Sequence, residues 1–99
     1  MNRIERIKRM EQQFDHASQA VMKLSAALDD FEAAQEAICQ LAAYYDSDEW
    51  KQDFAADEQG QLPRELKRGI LSEDGIWNLL EDHREVKRRM QDFLYMNND

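Results

Sequence analysis

Ninety-nine residues, 42% of them apolar and 34% charged, supply the hydrophobic material for one compact domain, and a chain of this length buries only roughly 60–70% of the surface its unfolded form exposes. The formal net charge of −8 argues against general affinity for a nucleic-acid backbone, because such binding needs a basic surface that releases counterions. No stretch approaches the roughly 20 consecutive apolar residues that span a bilayer, and a single cysteine, Cys39, excludes an internal disulfide.

The first residues, Met1-Asn2-Arg3-Ile4-Glu5-Arg6-Ile7-Lys8, mix charge into every turn and lack the apolar core of a signal peptide, so the expected location is the cytoplasm. From Ile7 the apolar residues follow a heptad. Ile7, Met10, Phe14, Ala17, Val21, Leu24, Leu28 and Phe31 alternate between a and d positions, which predicts a helix with a single buried seam. The phase continues through Ile38, Ala42 and Tyr45, with Gln35 the only polar intruder. Cys39, beside Ile38 and Leu41, reads as a buried small hydrophobe.

Residues 2 to 46 form either one helix or two. A continuous 45-residue helix would extend about 67 Å, further than the remaining chain can cover, and would need a partner molecule. The signal for a break is Asp29-Asp30-Phe31-Glu32, where Asp29 as N-cap and Glu32 three residues later make an acidic capping box. It favours two helices, 2–28 and 30–46, joined by a tight turn near 28 to 31. Against it stand the unbroken heptad and the lack of a glycine C-cap.

The chain's one proline and three glycines all lie between positions 60 and 75, so the strong breakers are confined to one region. Ser47 is a natural N-cap, with Asp48 and Glu49 at the positive end of the helix dipole; a short helix over 48–56 follows, carrying Trp50 and Phe54 on one face. An ordered connection over 57–72 comes next. In it Gly60 is a turn residue, Pro63 the first residue of a short helical turn and Gly69 its end. Leu71-Ser72-Glu73-Asp74-Gly75-Ile76 then marks a helix start, with Ser72 as cap and Leu71 stapled onto Ile76. The last helix, 73–95, is expected to bury Ile76, Leu79, Leu80, His83, Val86, Met90, Phe93 and Leu94. The predicted fold is therefore all-α: a small single-domain helical bundle over 1–99.

Charge is uneven along this frame. Residues 29 to 62 hold ten acids and one base, Lys51, a net −9, while basic clusters occupy Arg3 to Arg9 and Arg84 to Arg89. The acids do not spell a calcium loop, since counting back from Gly60 or Gly75 places Ala55 or Ile70 at the first ligand position. Cys39, His16 and His83 lack zinc spacing. No metal or cofactor is expected, and the acidic stretch reads first as a solvated, capped face. His83 on the apolar face of the last helix reads as a core histidine rather than a catalytic base. Glu81 stands at pairing distance from Arg84, and Glu85 from Arg88 or Arg89, so the basic cluster reads first as a salt-paired surface, with a partner acid such as the chain's own acidic middle as the alternative.

The run Tyr44-Tyr45-x-Ser47-x-Glu49-Trp50, then Asp53, Ala56-Asp57, Gly60, Leu62-Pro63, Leu66-Lys67, Gly69, Leu71-Ser72-Glu73-Asp74-Gly75 and Asn78-Leu79-Leu80, resembles a bacterial family of small proteins catalogued only as a domain of unknown function. The resemblance covers about residues 44 to 81 closely and the N-terminal helices loosely. It implies a bacterial, intracellular protein, and it transfers no activity, cofactor or catalytic residue.

Function is then expected to be non-enzymatic: a protein-interaction or regulatory module whose working surface draws on Tyr44, Trp50, Asp53, Asp57, Arg64, Lys67, Asp74 and Trp77. A connection that merely joined two helices would need only about 2–8 residues; the roughly 25 residues between Tyr45 and Ser72 suggest more. A hydrophobic cap, with Trp50, Leu62, Leu66 and Ile70 turned inward, explains the same segment. Two rivals are an enzyme or ligand-binding protein built on a carboxylate and histidine pocket, and a regulator acting on nucleic-acid-associated proteins. A protein partner is expected, nucleic acid and membrane are not, and the long seam leaves self-association open.

Overall fold

The computed structural model describes residues 2–97 of the chain, and among these residues every regular element is helical. The order is α1 (Arg3–Ala33), α2 (Gln35–Tyr45), α3 (Asp48–Glu58), a 3-10 turn (Gly69–Leu71) and α4 (Gly75–Met96). The all-α expectation holds. The chain divides into two compact units, Met1–Glu36 and Ala37–Asp99, which are described in turn.

In the first unit, Asn2 caps α1 by accepting the Glu5 N–H on its side-chain oxygen at 2.8 Å, as an N-cap asparagine does. The helix runs through Asp29 and Glu32, so the expected break near 28 to 31 does not form. Asp29 can cap only if the chain before it leaves the helix, and the strong helix formers up to Leu28 give it no reason to. The interruption falls instead at Ala34, whose N–H is shared between the carbonyls of Asp30 and Phe31 at 3.1 and 3.2 Å. Beside it the Gln35 side-chain amide donates to the Phe31 carbonyl at 2.8 Å. That competition for one carbonyl loosens the ladder where the heptad meets its polar residue.

The seam of α1 is not buried. A unit made of one helix has nothing of its own to lay across the stripe, and Val21 is 69% exposed and Leu24 58%. Ile7, Met10, Phe14 and Leu28 are exposed as well. The heptad states which residues line up, and the covering surface was wrongly assumed.

The second unit is organised by caps. Ser47 sits at the N-cap of α3, donating to the Tyr44 carbonyl at 2.6 Å and accepting the Trp50 N–H at 3.2 Å. The helix extends two residues past its predicted end and closes on Gly60. There the Gln61 N–H reaches the Ala56 carbonyl and the Gly60 N–H the Asp57 carbonyl, both at 3.0 Å. This paired closure needs a left-handed residue, and Gly60 has φ +69°. Pro63 opens a turn closed by the Leu66 N–H at 3.2 Å, not the helical turn expected of it. Gly69 begins the 3-10 turn rather than ending one.

α4 begins at Gly75, two residues later than expected, with Asp74 rather than Ser72 in the N-cap position. Ser72 still serves the helix start, its hydroxyl donating to the Gly69 carbonyl and accepting the Gly75 N–H, both at 2.9 Å. Leu71 and Ile76, the proposed staple, are the buried hydrophobic residues among those described. The rest of the predicted α4 core is shallower. Leu80, His83 and Met90 are half-buried, whereas Leu79, Val86, Phe93 and Leu94 are exposed. Cys39 is also exposed, against the expectation of burial. No helix among the described residues is long and apolar enough to cross a membrane.

Candidate functional site

The connection between α3 and α4 is fixed at three points, each traceable to a side chain of α3 or a cap. Trp50, on the first turn of α3, donates its indole N–H to the Ile70 carbonyl at 2.8 Å. Its ring lies edge-on to Tyr45 with centroids 5.0 Å apart, and stacks on Phe54 at 5.1 Å and 22°. Such offset and edge contacts favour aromatic pairs beyond their area. Near the end of α3, Asp57 pairs with Arg68 at 2.8 Å. The third point is the Gly69–Ser72–Gly75 cap. A Cβ on Gly75 would lie 2.5 Å from the Gly69 carbonyl oxygen and 2.7 Å from the Ser72 hydroxyl, so the approach of the two backbones requires glycine at this position.

On α2 and α3, Tyr44 donates its hydroxyl to Asp53 Oδ2 at 2.5 Å. That hydrogen bond, followed by burial and the charges of Asp53 and Glu49, pushes the phenol up to about 12. The shift carries it further from neutrality. A base or nucleophile working near pH 7 needs the opposite displacement, so the Tyr44–Asp53 pair is a clasp between neighbouring helices.

The eight residues singled out in the sequence therefore separate. Tyr44 and Asp53 hold each other, Trp50 and Asp57 hold the connection, and these four act as scaffold. Asp74 precedes α4 without a side-chain cap bond and contributes its carbonyl to the Asn78 N–H at 2.8 Å. Arg64 is exposed in the turn region, and Trp77 is 52% exposed on α4. Lys67 alone of the eight lines an open groove of about 430 Å³, with Leu41, Gly69, Ile70, Gly75, Ile76 and Leu79 as the other walls.

Sequence reasoning missed both Arg68 and the groove. Arg68 meets Asp57 from eleven positions further along the chain, a separation that no periodicity encodes. The signal for the groove was present but divided: Gly69 and Gly75 leave the space, and Leu41, Ile70 and Leu79 come from three separate elements. The groove's lining contains one cation and no carboxylate or histidine. Among the described residues no three histidine, cysteine or carboxylate side chains gather as metal ligands do. The salt-paired reading of α4 holds, with Arg84 bonded to Glu81 and Arg88 to Glu85.

The family described as a domain of unknown function (DUF4298) matches residues 7–93, and the chain belongs to it. No curated protein and no solved structure matches the chain.

Proposed function

From membership of a family with no assigned activity, we propose that the chain is a non-enzymatic protein-interaction module of a bacterial cell, and that the groove between the 3-10 turn and α4 receives its partner. The single observation that carries the reading is the groove itself. It has an apolar floor at Ile76, apolar walls at Leu41, Ile70 and Leu79, and Lys67 as its one charged lining residue. Apolar concavities with a few placed polar groups are where proteins take ligands and partner side chains. An apolar side chain of the partner, followed by a carboxylate within reach of Lys67, fits this lining.

The scaffold supports the same reading. The groove wall at Ile70 is pinned from behind by Trp50, and the Gly69–Ser72–Gly75 cap fixes its rim. Recognition surfaces held on a rigid frame lose less entropy on binding.

The test is capture from host extract by the wild-type chain, by Lys67→Glu and by Leu79→Asp, with circular dichroism recorded for each. A protein retained by the wild type and lost by both folded variants supports the groove. Equal capture by all three places recognition elsewhere on the chain.

A further inference from the structure

We propose that α1 is a self-association helix: two copies of the chain pair along it in antiparallel orientation. Six large side chains of the heptad, Ile7, Met10, Phe14, Val21, Leu24 and Leu28, are exposed along one stripe of a 31-residue helix. A stripe with a strict a and d period is the seam of a two-stranded coiled coil, and an amphipathic helix in water draws most of its stability from packing that face. At roughly 60–120 Å² of apolar surface for each large side chain, the six from each copy offer on the order of 700–1,400 Å². That brackets the roughly 1,000 Å² a specific interface should clear.

Charge identifies the occupant and its direction. The N-terminal end of α1 carries Arg3, Arg6, Lys8 and Arg9 with Glu5, a net +3, and its C-terminal end carries Asp29, Asp30 and Glu32, a net −3. A parallel pair would set like charges together at both ends. An antiparallel pair sets each basic end beside the acidic end of the other copy, and this complementarity selects orientation. Side-chain size agrees. Opposing a with d positions about a centre near residue 19 places Ala17 against Val21, Phe14 against Leu24 and Met10 against Leu28. Every small residue then faces a larger one, whereas the parallel register would oppose Ala17 to Ala17 and leave a void. Nothing in this pairing uses the groove, so the two proposals fail or stand separately.

The experiment is sedimentation of the full chain across a concentration series, combined with disulfide trapping. The wild type should sediment at twice the chain mass and dissociate on dilution, with dissociation eased by salt. Leu24→Asp places two carboxylates in each symmetric seam and should weaken the dimer about a hundredfold or more. Met22→Asp, one step off the seam and 71% exposed, should leave the dimer intact. In a Cys39→Ser background, a mixture of Met10→Cys and Leu28→Cys chains should cross-link, while neither alone does, because a disulfide requires Cα atoms within about 7 Å. A wild-type chain that stays monomeric at high concentration, an undiminished Leu24→Asp dimer, or cross-linking of Met10→Cys with itself would each overturn the proposal.

Discussion

The hydroxyl of Tyr44 and the carboxylate of Asp53 meet at 2.5 Å, from α2 to α3, nine residues apart in sequence. Because Asp53 accepts the phenolic proton, loss of that proton sets two negative charges against each other, which is why the phenol sits at about 12. A pKa raised in the folded chain gives stability that is complete below the ordinary tyrosine value near 10 and declines as pH rises through 12. Ultraviolet titration of the chain's three tyrosines should therefore resolve one late ionisation. In Asp53→Asn that ionisation should fall toward 10, and a titration curve identical to the wild type would show that the clasp does not form in solution.

Gly75→Ala should destabilise the second unit by about 1–3 kcal/mol, the usual cost of forcing a methyl group into occupied space. The obstructing atom is the backbone oxygen of Gly69 at 2.5 Å, which cannot swing aside as a side chain would. Gly69→Ala is the control. A Cβ there meets open space, so the unfolded chain loses freedom without a native clash, and stability should hold or rise by about 0.4–1 kcal/mol. Urea midpoints for the two variants should move in clearly different directions, and equal shifts would contradict the cap geometry.

Trp50→Phe keeps an aromatic ring between Tyr45 and Phe54 but removes the indole donor to Ile70. The expected loss is about 0.5–1.5 kcal/mol, the net value of one hydrogen bond whose acceptor can turn to water. Thermal unfolding followed by far-ultraviolet circular dichroism measures it. A much larger loss would mean that ring packing, and not the hydrogen bond, holds the connection.

For Arg68 and Asp57 the expected coupling is small. Their side chains are 35% and 26% exposed, so solvent screens the pair and a double-mutant cycle with Arg68→Ala and Asp57→Ala should give about 0.2–1 kcal/mol. The coupling should shrink in molar salt. A coupling of several kcal/mol, insensitive to salt, would mark the pair as far better shielded than its exposure indicates.

What the sequence disclosed tracks how local each cause is. Ser47, Gly60 and Ser72 were legible because a cap is decided by a residue and its neighbours within one turn. The acidic box at Asp29 and Glu32 had the right letters, yet it depended on the helix before it ending, and nothing ended it. Ile7 to Leu28 line up on one face with the expected period, but a period does not name what covers that face, and within the unit nothing does. Lys67 was singled out, while the groove it lines was not. Arg68 and Ile70 owe their partners to a path through the connection, and their spacing from Asp57 and Trp50 carries no repeat that could have announced it.

The bond from Trp50 to Ile70 joins residues twenty positions apart, whereas the caps and helical ladders of the second unit close over three to five. Short closures are made in about a microsecond or less, and wider ones wait on the loop entropy that must be overcome first. The helices of this unit should consequently appear early on refolding, and the docking of the 3-10 turn against α3 should come last. Trp50 lies at that final contact while Trp77 lies on α4, so stopped-flow fluorescence of a Trp77→Phe chain would time the closing event alone. The groove is complete only once Ile70 is in place, so that step bounds how fast the groove can form, with the indole bond one of the three points that hold the connection there.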